Sequence, residues 1–256
     1  IVEYNGMSRK NPIIQILYQL EKWIYKKADQ LIFTMEGGKD YIKDKKWDKS
    51  VDLRKVNHVN NGVDLKEYVE SIEKHCISDA DLMDETIFKV IYVGSIRKAN
   101  NVHNLVKVAE ELKNRKEDKV KILIYGDGTD RTELESLSEK KGLNNIVFKG
   151  KVDKMYVPYI LSKSNLNILN YQHADTWKYG GSQNKQFEYL ASGRPICSNV
   201  KMGYSIIRQN KCGVEENIET VRRYADIILE YKNMSQEEYK AQCRRALGAA
   251  QGYDYN

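Results

Sequence analysis

The chain has 256 residues, of which 41% are hydrophobic and 30% are charged, and its formal net charge is +6. This length suits one large domain, or one domain with part of a second, and the apolar content is ample for a core. Basic and acidic residues are interleaved along the chain, which disfavours a nucleic-acid-binding stripe. We therefore expect a globular protein without a nucleic-acid partner.

The four cysteines are scattered and show neither C-x-x-C nor Cys/His metal spacing; they are Cys76, Cys197, Cys212 and Cys243. Free thiols of this kind indicate a reduced, cytoplasmic protein. No apolar run reaches the roughly 18 residues that a transmembrane helix needs, and no secretory signal is present. Because the chain begins at Ile1 without a domain-starting strand, we expect it to be an internal piece of a longer protein.

The first part of the chain predicts a helix and two short strands. Apolar residues at helical spacing predict a helix over 13–28. The apolar run QLIFTM predicts a strand over 30–35, and a helical stretch follows from Lys39. A second short strand begins at Val56 and ends in a strong turn signal, Asn-Asn-Gly, at 60–62.

From Ile87 onward, strands and helices alternate regularly. Runs rich in β-forming residues predict strands over 88–96, 119–128, 145–152, 166–171 and 195–199, with a short edge strand near 213–216. Apolar residues at helical spacing predict helices over 104–113, 133–141, 156–162, 184–192, 218–231 and 235–249.

Strands that alternate with helices of about ten residues imply right-handed βαβ units and a parallel, doubly wound sheet. The predicted fold class is therefore α/β, with a Rossmann-like sheet and a small remnant of a preceding domain. In this architecture ligands bind beyond the carboxyl ends of the strands, where the strand order reverses. The candidate site residues are those that follow each strand.

Three predicted strands end in turns that contain Gly94, Gly126 and Gly150. Glycine lets the backbone approach a ligand closely, and free N–H groups at the next helix start favour anions. The first turn also carries Arg97 and Lys98, which suit a diphosphate. The alternative is that the turns are only tight connections and that the basic pair is only solvated. No turn matches G-x-G-x-x-G or the P-loop, so neither of those standard sites is supported.

The segment Tyr179 to Asn199 joins a glycine turn and a helix to a buried strand. Ser182 or Asn184 is expected to cap this helix, which places Lys185 in the first turn. A cation there opposes the helix dipole unless an anion neutralises it. If the apolar residues of the helix pack on the sheet, Glu188 lies toward the cleft and can accept ribose hydroxyls. The alternative is that the polar residues only cap and that Glu188 is a surface residue.

Residues 178–195 resemble the donor-binding motif of retaining glycosyltransferases of family four, which have the two-domain GT-B architecture. The resemblance is closest to the subgroup that makes bacterial capsule and lipopolysaccharide sugars, with the motif K-Y-G-x-S-x-N-K-x-F-[DE]-Y-[ML]-A-x-G-[KR]-P. The residues in register are Lys178, Tyr179, Gly180, Ser182, Asn184, Lys185, Phe187, Glu188, Tyr189, Leu190, Ala191, Gly193, Arg194 and Pro195. The resemblance implies a C-terminal domain that binds a nucleotide sugar.

Other segments extend this resemblance over nearly the whole chain. The turn at 61–64 is similar to the hinge between the two Rossmann domains of the family. The resemblance therefore assigns residues 1–62 to a remnant of the N-terminal acceptor domain with the hinge. It assigns 63–256 to the donor-binding domain, truncated at its C-terminal end. The turns at 94–98, 126–128 and 150–152 resemble those that line the family's donor pocket.

By this resemblance the catalytic residues are Arg97, Lys185 and Glu188. Glu188 would hold the donor ribose, and the basic residues would hold the diphosphate. The further donor-binding residues are Gly94, Ser95, Lys98, Gly126, Gly128, Gly150, Lys151, Val152, Tyr179, Gly181, Ser182 and Asn184. Many members carry another glutamate eight positions before the ribose-binding one, where this chain has Gly180. The contact to the transferred sugar is therefore unassigned, and the nearby His173 is either a loop residue or a sugar contact.

The resemblance implies sugar transfer from a nucleotide-diphosphate sugar, UDP-linked by family habit, to a glycan or lipid-linked acceptor in bacterial surface polysaccharide synthesis. Positive side chains and helix N-termini can stabilise the leaving diphosphate, so we expect no metal and no other cofactor. Asp79-Ala80-Asp81 has the spacing of a metal motif but is interpreted as part of a linker. The acceptor would bind the missing N-terminal domain, and the full-length protein could associate with the inner face of the membrane. This piece alone is expected to bind donor without catalysis.

Two other functions stay open. A UDP-sugar epimerase of related architecture would also hold a nucleotide sugar, although the run at 184–189 does not resemble that family. A non-catalytic nucleotide-sugar-binding module of a polysaccharide-assembly complex would agree with the absence of an acidic residue at Gly180.

Overall fold

The computed structural model describes residue 8 and residues 10–256, and the chain divides into two compact units. The first unit comprises the described residues up to Asn61 together with His173–Ser182 and Lys201–Ser205. The second unit comprises Gly62–Gln172, Gln183–Val200 and Ile206–Asn256. Two segments from the predicted second domain therefore belong to the first unit. Residues 1–7 and 9 of the predicted remnant lie outside the described residues.

The first unit contains a two-stranded parallel sheet, in which β1 (Leu31–Phe33) pairs with β2 (Val56–His58). Its longer helices are α1 (Pro12–Lys27) and α2 (Gly38–Asp44). The buried core of the unit is formed by Leu31, Ile42, Trp47, Val51 and Val56. Helix α1 begins after Asn11, whose side chain accepts the Ile13 N–H, and it leaves one apolar face exposed, formed by Ile13, Ile16, Leu17, Leu20, Trp23 and Ile24.

The second unit is built on a parallel sheet with the order β5-β4-β3-β6-β7-β8. Its strands are β3 (Phe88–Val93), β4 (Val120–Tyr125), β5 (Ile146–Gly150), β6 (Leu166–Leu169), β7 (Ile196–Ser198) and β8 (Gly213–Glu215). Its helices are α3 (Leu65–Lys74), α4 (Ala80–Met83), α5 (Val102–Asn114), α6 (Arg131–Lys140), α7 (Val157–Ser162), α8 (Asn184–Ala191), α9 (Ile206–Asn210), α10 (Val221–Lys232) and α11 (Gln236–Gln251). Short 3₁₀ helices span Lys98–Asn100 and Lys154–Tyr156.

This topology confirms the predicted Rossmann-like α/β fold. The strand order reverses between β3 and β6, so the carboxyl edge of these two strands is the place where such sheets bind ligands. The strands form because their residues are almost wholly buried on both faces, as parallel strands between helices require. Helices α5 and α10 cover the sheet with side chains such as Leu105, Leu112, Tyr224 and Ile228.

Three helices of the second unit, α3, α4 and α9, are absent from the sequence prediction. Helix α3 begins after Asp64, whose carboxylate accepts the Glu67 N–H at 2.8 Å. Only Tyr68 is buried in this helix, so the apolar periodicity that indicates a helix is weak there. Helix α9 has only five residues, which is too short for a periodic signal. The predicted edge strand near 213–216 is confirmed as β8.

The two acidic residues with metal-like spacing are paired with lysines. Asp79 caps α4, and its carboxylate accepts the Tyr125 hydroxyl at 2.9 Å. Lys149 lies 2.7 Å from the Asp79 carboxylate and 2.6 Å from that of Asp81, and Lys121 lies 2.7 Å from Asp81. The segment interpreted as a linker is therefore a short helix that is tied to strands β4 and β5.

The four cysteines are free thiols, two of them buried, one partly buried and one exposed. Among residue 8 and residues 10–256, no helix combines the length and the apolar character that crossing a membrane requires.

Candidate donor-binding site

The turns that follow β3, β4 and β5 line one cavity of about 710 Å³. The turns after β3 and β4 pack closely because Gly126 has no side chain. A Cβ at this position would lie 1.8 Å from the carbonyl oxygen of Gly94. The predicted site residues that line the cavity are Gly94, Ser95, Arg97, Gly126, Gly128, Lys151 and Val152. The carboxyl edge of the sheet thus gathers the predicted glycine and basic residues of three turns.

Helix α8 packs on the sheet in the predicted way. Phe187 and Leu190 are fully buried, and Ala191 is nearly so. The buried Tyr189 hydroxyl accepts the N–H of Val93 at 2.8 Å and donates to the carbonyl of the same residue at 3.2 Å. Because Val93 ends β3, this pairing fixes the helix directly beside the turn that contains Gly94.

Lys185 points from the first turn of α8 toward the turn after β3. A Cβ placed on Gly94 would lie 3.6 Å from the Lys185 Nζ atom. The same Nζ lies 3.4 Å from the Asn100 side-chain oxygen, 4.8 Å from the centroid of the Tyr92 ring and 4.6 Å from that of Tyr171. The cation is therefore surrounded by neutral groups.

Burial lowers the pKa of the Lys185 amine to about 7, and no charged group of the described residues counteracts this effect. Desolvation disfavours the ammonium form, whereas a nearby anion favours it. A phosphate beside Nζ would therefore restore the protonated state. This arrangement is suited to an anionic ligand at the Gly94 turn, which lines the larger cavity.

Glu188 lines a second cavity of about 380 Å³, together with Asn184, Tyr68, Lys154 and other residues. Its side chain is 18% exposed, and burial raises the pKa of the carboxyl group, while Lys154, 4.0 Å away, acts in the opposite direction. Tyr68 lines the same cavity, but its hydroxyl is buried and has no hydrogen-bond partner among the described residues. The cavity thus offers the Glu188 carboxylate to the polar groups of a ligand.

The two cavities flank one segment of the chain. Lys151, Val152 and Val157 line the larger cavity, and Lys154, Met155 and Pro158 line the smaller one. Lys185 and Glu188 lie within one turn of α8. Arg97 lines the larger cavity and Glu188 lines the smaller one, whereas Lys185 lines neither, so neither of these two cavities contains all three predicted catalytic residues.

Two predicted residues lie at the margin of this arrangement. Lys98 is exposed in the 3₁₀ helix and lines neither cavity. Gly150 ends β5 with φ +79°, and a Cβ there would lie 3.3 Å from the Arg131 guanidinium. The Gly150 carbonyl accepts the Gly126 N–H at 2.8 Å, so its backbone serves the packing of the two turns.

The predicted helix cap is wrong. The cap residue of α8 is Gln183, and its side chain makes no capping hydrogen bond. Ser182 cannot cap because its hydroxyl accepts the Asn61 N–H at 2.9 Å, and Asn184 is already the first helical residue. The N-terminus of α8 therefore lacks a side-chain acceptor, which leaves its dipole without a local counter-charge.

Three predicted donor-binding residues, Tyr179, Gly181 and Ser182, belong to the first unit. The Tyr179 hydroxyl donates to Asp44 at 2.8 Å, and its ring packs edge-on against Tyr41. His173, in the same unit, is exposed.

The backbone at Gly180 gives a physical reason for the departure from the family motif. Gly180 has φ 96° and ψ −178°, a conformation that side chains with a Cβ rarely adopt. A Cβ there would also lie 3.3 Å from the Gly203 carbonyl oxygen. A glutamate at this position would therefore strain the backbone found in this chain.

Three residues of the site were not predicted from the sequence, namely Tyr92, Tyr171 and Asn100. Tyr171 lies two residues after the end of β6, so inspection of every strand end could have identified it. Tyr92 lies inside β3 and carries no signal that separates it from a core residue. Asn100 becomes a neighbour of Lys185 only through the fold.

The parallel six-stranded sheet with this carboxyl-edge site defines a Rossmann-like domain of the GT-B type. The family model for glycosyl transferases group 1 matches residues 76–246, which is more than half of the chain. The chain belongs to this family.

Relatives and solved structures agree with this assignment. An uncharacterized glycosyltransferase, MJ1069 of Methanocaldococcus jannaschii, is 25% identical over 180 residues, which cover 70% of this chain and 42% of the relative. The structure of Anabaena Alr3699/HepE in complex with UDP has a TM-score of 0.73 at 15% identity, covering 98% of this chain and 67% of that one. WaaG, a glycosyltransferase involved in lipopolysaccharide biosynthesis, has a TM-score of 0.69 at 14% identity, covering 95% and 64%.

Proposed function

We propose that this chain binds the diphosphate of a nucleotide sugar at the carboxyl edge of its six-stranded sheet, as the donor-binding half of a glycosyltransferase. The observation that carries this proposal is the placement of Lys185. Its ammonium lies beside the Gly94 turn and is surrounded by neutral groups. Arg97, which belongs to the same turn, lines the larger cavity. A partly buried cation without a counter-ion is unfavourable, and an anionic ligand stabilises it.

In the proposed reaction, the bond between the anomeric carbon of the sugar and the diphosphate oxygen breaks, and the diphosphate leaves with the electron pair. The anomeric carbon forms a bond to a hydroxyl oxygen of the acceptor, and the hydroxyl proton passes to the leaving diphosphate. Lys185 and Arg97 stabilise the negative charge that develops on the leaving group. The uncapped N-terminus of α8 favours the same charge. Glu188 accepts hydrogen bonds from the ribose hydroxyls and orients the nucleotide.

The finer assignment rests on the resemblance and on the similar proteins. We propose a retaining transferase of family four that uses a UDP-linked hexose in bacterial capsule or lipopolysaccharide synthesis. The retaining mode follows the resemblance of residues 178–195. A UDP donor is supported by the HepE structures in complex with UDP and with UDP-glucose. The surface-polysaccharide role is supported by the likeness to WaaG.

The chain spans 42% of the length of its archaeal relative. The proposed acceptor is a glycan or a lipid-linked sugar that binds a second domain. The full-length protein would then act in the cytoplasm, with peripheral contact to the inner face of the membrane. The 256 residues alone are expected to bind donor without metal and without transferring sugar.

Calorimetric titration with UDP tests the proposal. The chain should bind UDP saturably, and Lys185→Ala should weaken binding by about tenfold or more, because a charge-assisted contact is lost. Lys140→Ala is the matched control, since it removes an exposed lysine at the end of α6. Equal affinity of Lys185→Ala and the wild type, or no binding by the wild type, would contradict the proposal. Sugar transfer by the 256 residues alone would contradict their expected inactivity.

A further inference from the structure

The Lys185 ammonium lies between two aromatic rings. Its Nζ atom is 4.8 Å from the centroid of Tyr92 and 4.6 Å from the centroid of Tyr171. Both distances are within the roughly 6 Å over which an aromatic face attracts a cation. The remaining polar contact is the Asn100 side-chain oxygen at 3.4 Å. None of these groups carries a negative charge.

The first ring is anchored to the turn that follows its own strand. The Tyr92 hydroxyl donates to the Ser95 carbonyl at 2.8 Å, and the Asn100 side-chain amide donates to the same carbonyl at 2.8 Å. The Asn170 side chain in turn donates to the carbonyls of Asn100 and Asn101. The ring and the amide oxygen that contact Lys185 are therefore fixed to one ordered turn.

The backbone of Tyr171, which carries the second ring, is anchored across the sheet. The Tyr171 N–H donates to the Asn199 side-chain oxygen at 2.8 Å, and the Asn199 amide donates back to the Tyr171 carbonyl at 2.8 Å. Tyr171 follows β6 and Asn199 follows β7. Tyr92 lies on β3, so one ring comes from a strand and the other from the turn that follows its neighbour β6, at the point where the sheet order reverses.

We propose that Tyr92 and Tyr171 are positioning residues, which together hold the Lys185 ammonium at the Gly94 turn for the diphosphate of the donor. This inference rests on the proposed donor site. A lysine side chain has a flexible four-carbon stem, and fixing it costs conformational entropy when a ligand binds. The two rings order the lysine side chain before the ligand binds, so less conformational entropy is lost on binding. A carboxylate in their place would compete with the phosphate for the ammonium group.

The role of the ring can be tested at Tyr171, because one substitution keeps the ring and another removes it. Tyr171→Phe keeps the ring, whereas Tyr171→Leu removes it. The leucine variant should bind UDP about tenfold more weakly than the wild type, and the phenylalanine variant should bind within about twofold of it. Tyr92→Phe keeps the ring but removes its hydrogen bond to the Ser95 carbonyl, so it should weaken UDP binding by less than Tyr171→Leu does. Circular dichroism and thermal unfolding establish that each variant is folded.

A second measurement follows the protonation of the Lys185 amine in the absence of a donor. Competitive labelling of amines with acetic anhydride, followed by mass spectrometry, gives the titration of the Lys185 amine. Loss of the Tyr171 ring removes a group that favours the ammonium form. The Lys185 amine should therefore titrate at lower pH in Tyr171→Leu than in Tyr171→Phe or the wild type. A purely structural role for Tyr171 would leave this titration unchanged.

The outcomes separate the two proposals. If the wild type binds no UDP, the donor site fails, while the labelling still decides whether the rings act on Lys185. If the wild type binds UDP and Tyr171→Leu matches it in affinity and in labelling, the positioning role is wrong. If the leucine variant does not fold, Tyr171→Met fills the space without a ring. Labelling of the wild-type Lys185 like an exposed lysine would also overturn the role.

Discussion

The Tyr189 hydroxyl pairs with both backbone polar groups of Val93, accepting the N–H at 2.8 Å and donating to the carbonyl at 3.2 Å. Tyr189 lies one turn after Lys185 on α8, and Val93 is the last residue of β3. One fully buried side chain therefore sets the distance between the sheet edge and the helix that carries Lys185 and Glu188. The geometry of the site depends on this contact.

Tyr189→Phe should destabilise the protein and weaken UDP binding. The substitution leaves the buried Val93 N–H and carbonyl without their partner, which costs about 1–3 kcal/mol in the free energy of unfolding. Urea denaturation measures that cost, and calorimetric titration measures the affinity. Tyr239→Phe is the matched control, because its hydroxyl donates to the Asn165 carbonyl. The control should lose some stability and bind UDP unchanged; equal affinity of both variants would show that the Val93 contact does not order the site.

UDP affinity should fall as the pH rises above neutrality. Burial lowers the pKa of Lys185 to about 7, so the free amine loses its proton above that pH. A bound diphosphate raises this pKa again, and binding must then take up a proton. We expect affinity to fall by about tenfold or more between pH 7 and pH 9. Lys185→Arg keeps its charge, so a pH dependence that persists in this variant would assign the effect to another group.

The free energy of unfolding should respond to pH in the opposite sense. The folded-state pKa of Lys185 lies below the value of about 10.5 for the unfolded chain. Between these two values the unfolded state binds more protons, so stability rises with pH from about 7 upward and is lost as the pH falls back toward 7. Urea denaturation of the wild type and of Lys185→Met between pH 7 and pH 9 isolates this contribution. A constant difference between the two proteins would mean that the lysine is not desolvated.

Glu188→Gln should reduce the contribution of the ribose to binding. A hydrogen bond to a charged acceptor is worth roughly 1.5–3 kcal/mol, which corresponds to about tenfold or more in affinity. The variant should bind UDP more weakly but should bind 2′,3′-dideoxy-UDP like the wild type. Glu139→Gln, an exposed glutamate on α6, provides the control. If the loss is equal for both nucleotides, Glu188 does not contact the ribose hydroxyls.

Gly180 should not tolerate the glutamate that many members of the family carry. Its φ of 96° is strained for any residue with a Cβ, at a cost of about 1–3 kcal/mol. Both Gly180→Ala and Gly180→Glu should therefore lower the midpoint of urea denaturation. Gly248→Ala is the contrasting variant, because this glycine lies in α11 with open space around it, and it should gain about 0.5–1 kcal/mol. A stable Gly180→Glu protein would mean that the backbone can rearrange there.

The fold of the second unit was predictable because its signals are local. Buried β-rich runs and helical periodicity mark nearly every element, and glycine marks the strand ends at Gly94 and Gly126. The helix α3 was missed because Tyr68 is its only buried residue. The assignment of His173–Ser182 and Lys201–Ser205 to the first unit was not predictable either, since it depends on contacts between distant parts of the chain.

The candidate site was predictable in part. The expected positions of Arg97, Lys185 and Glu188 follow from strand ends and from one helix, which are local features. The prediction that Ser182 caps the helix was wrong because the Ser182 hydroxyl accepts a hydrogen bond from the backbone N–H of Asn61, a residue 121 positions away. Tyr92 lies on β3 and Tyr171 follows β6, so their approach to Lys185 appears only when the sheet is assembled.

A crystal structure of the chain with UDP would test the donor site most directly. We expect the diphosphate oxygens to lie about 2.7–3.2 Å from the Lys185 Nζ atom, with Arg97 beside them and the ribose at Glu188. UDP bound elsewhere on the chain, with the Lys185 Nζ atom still enclosed by neutral groups alone, would contradict the assignment.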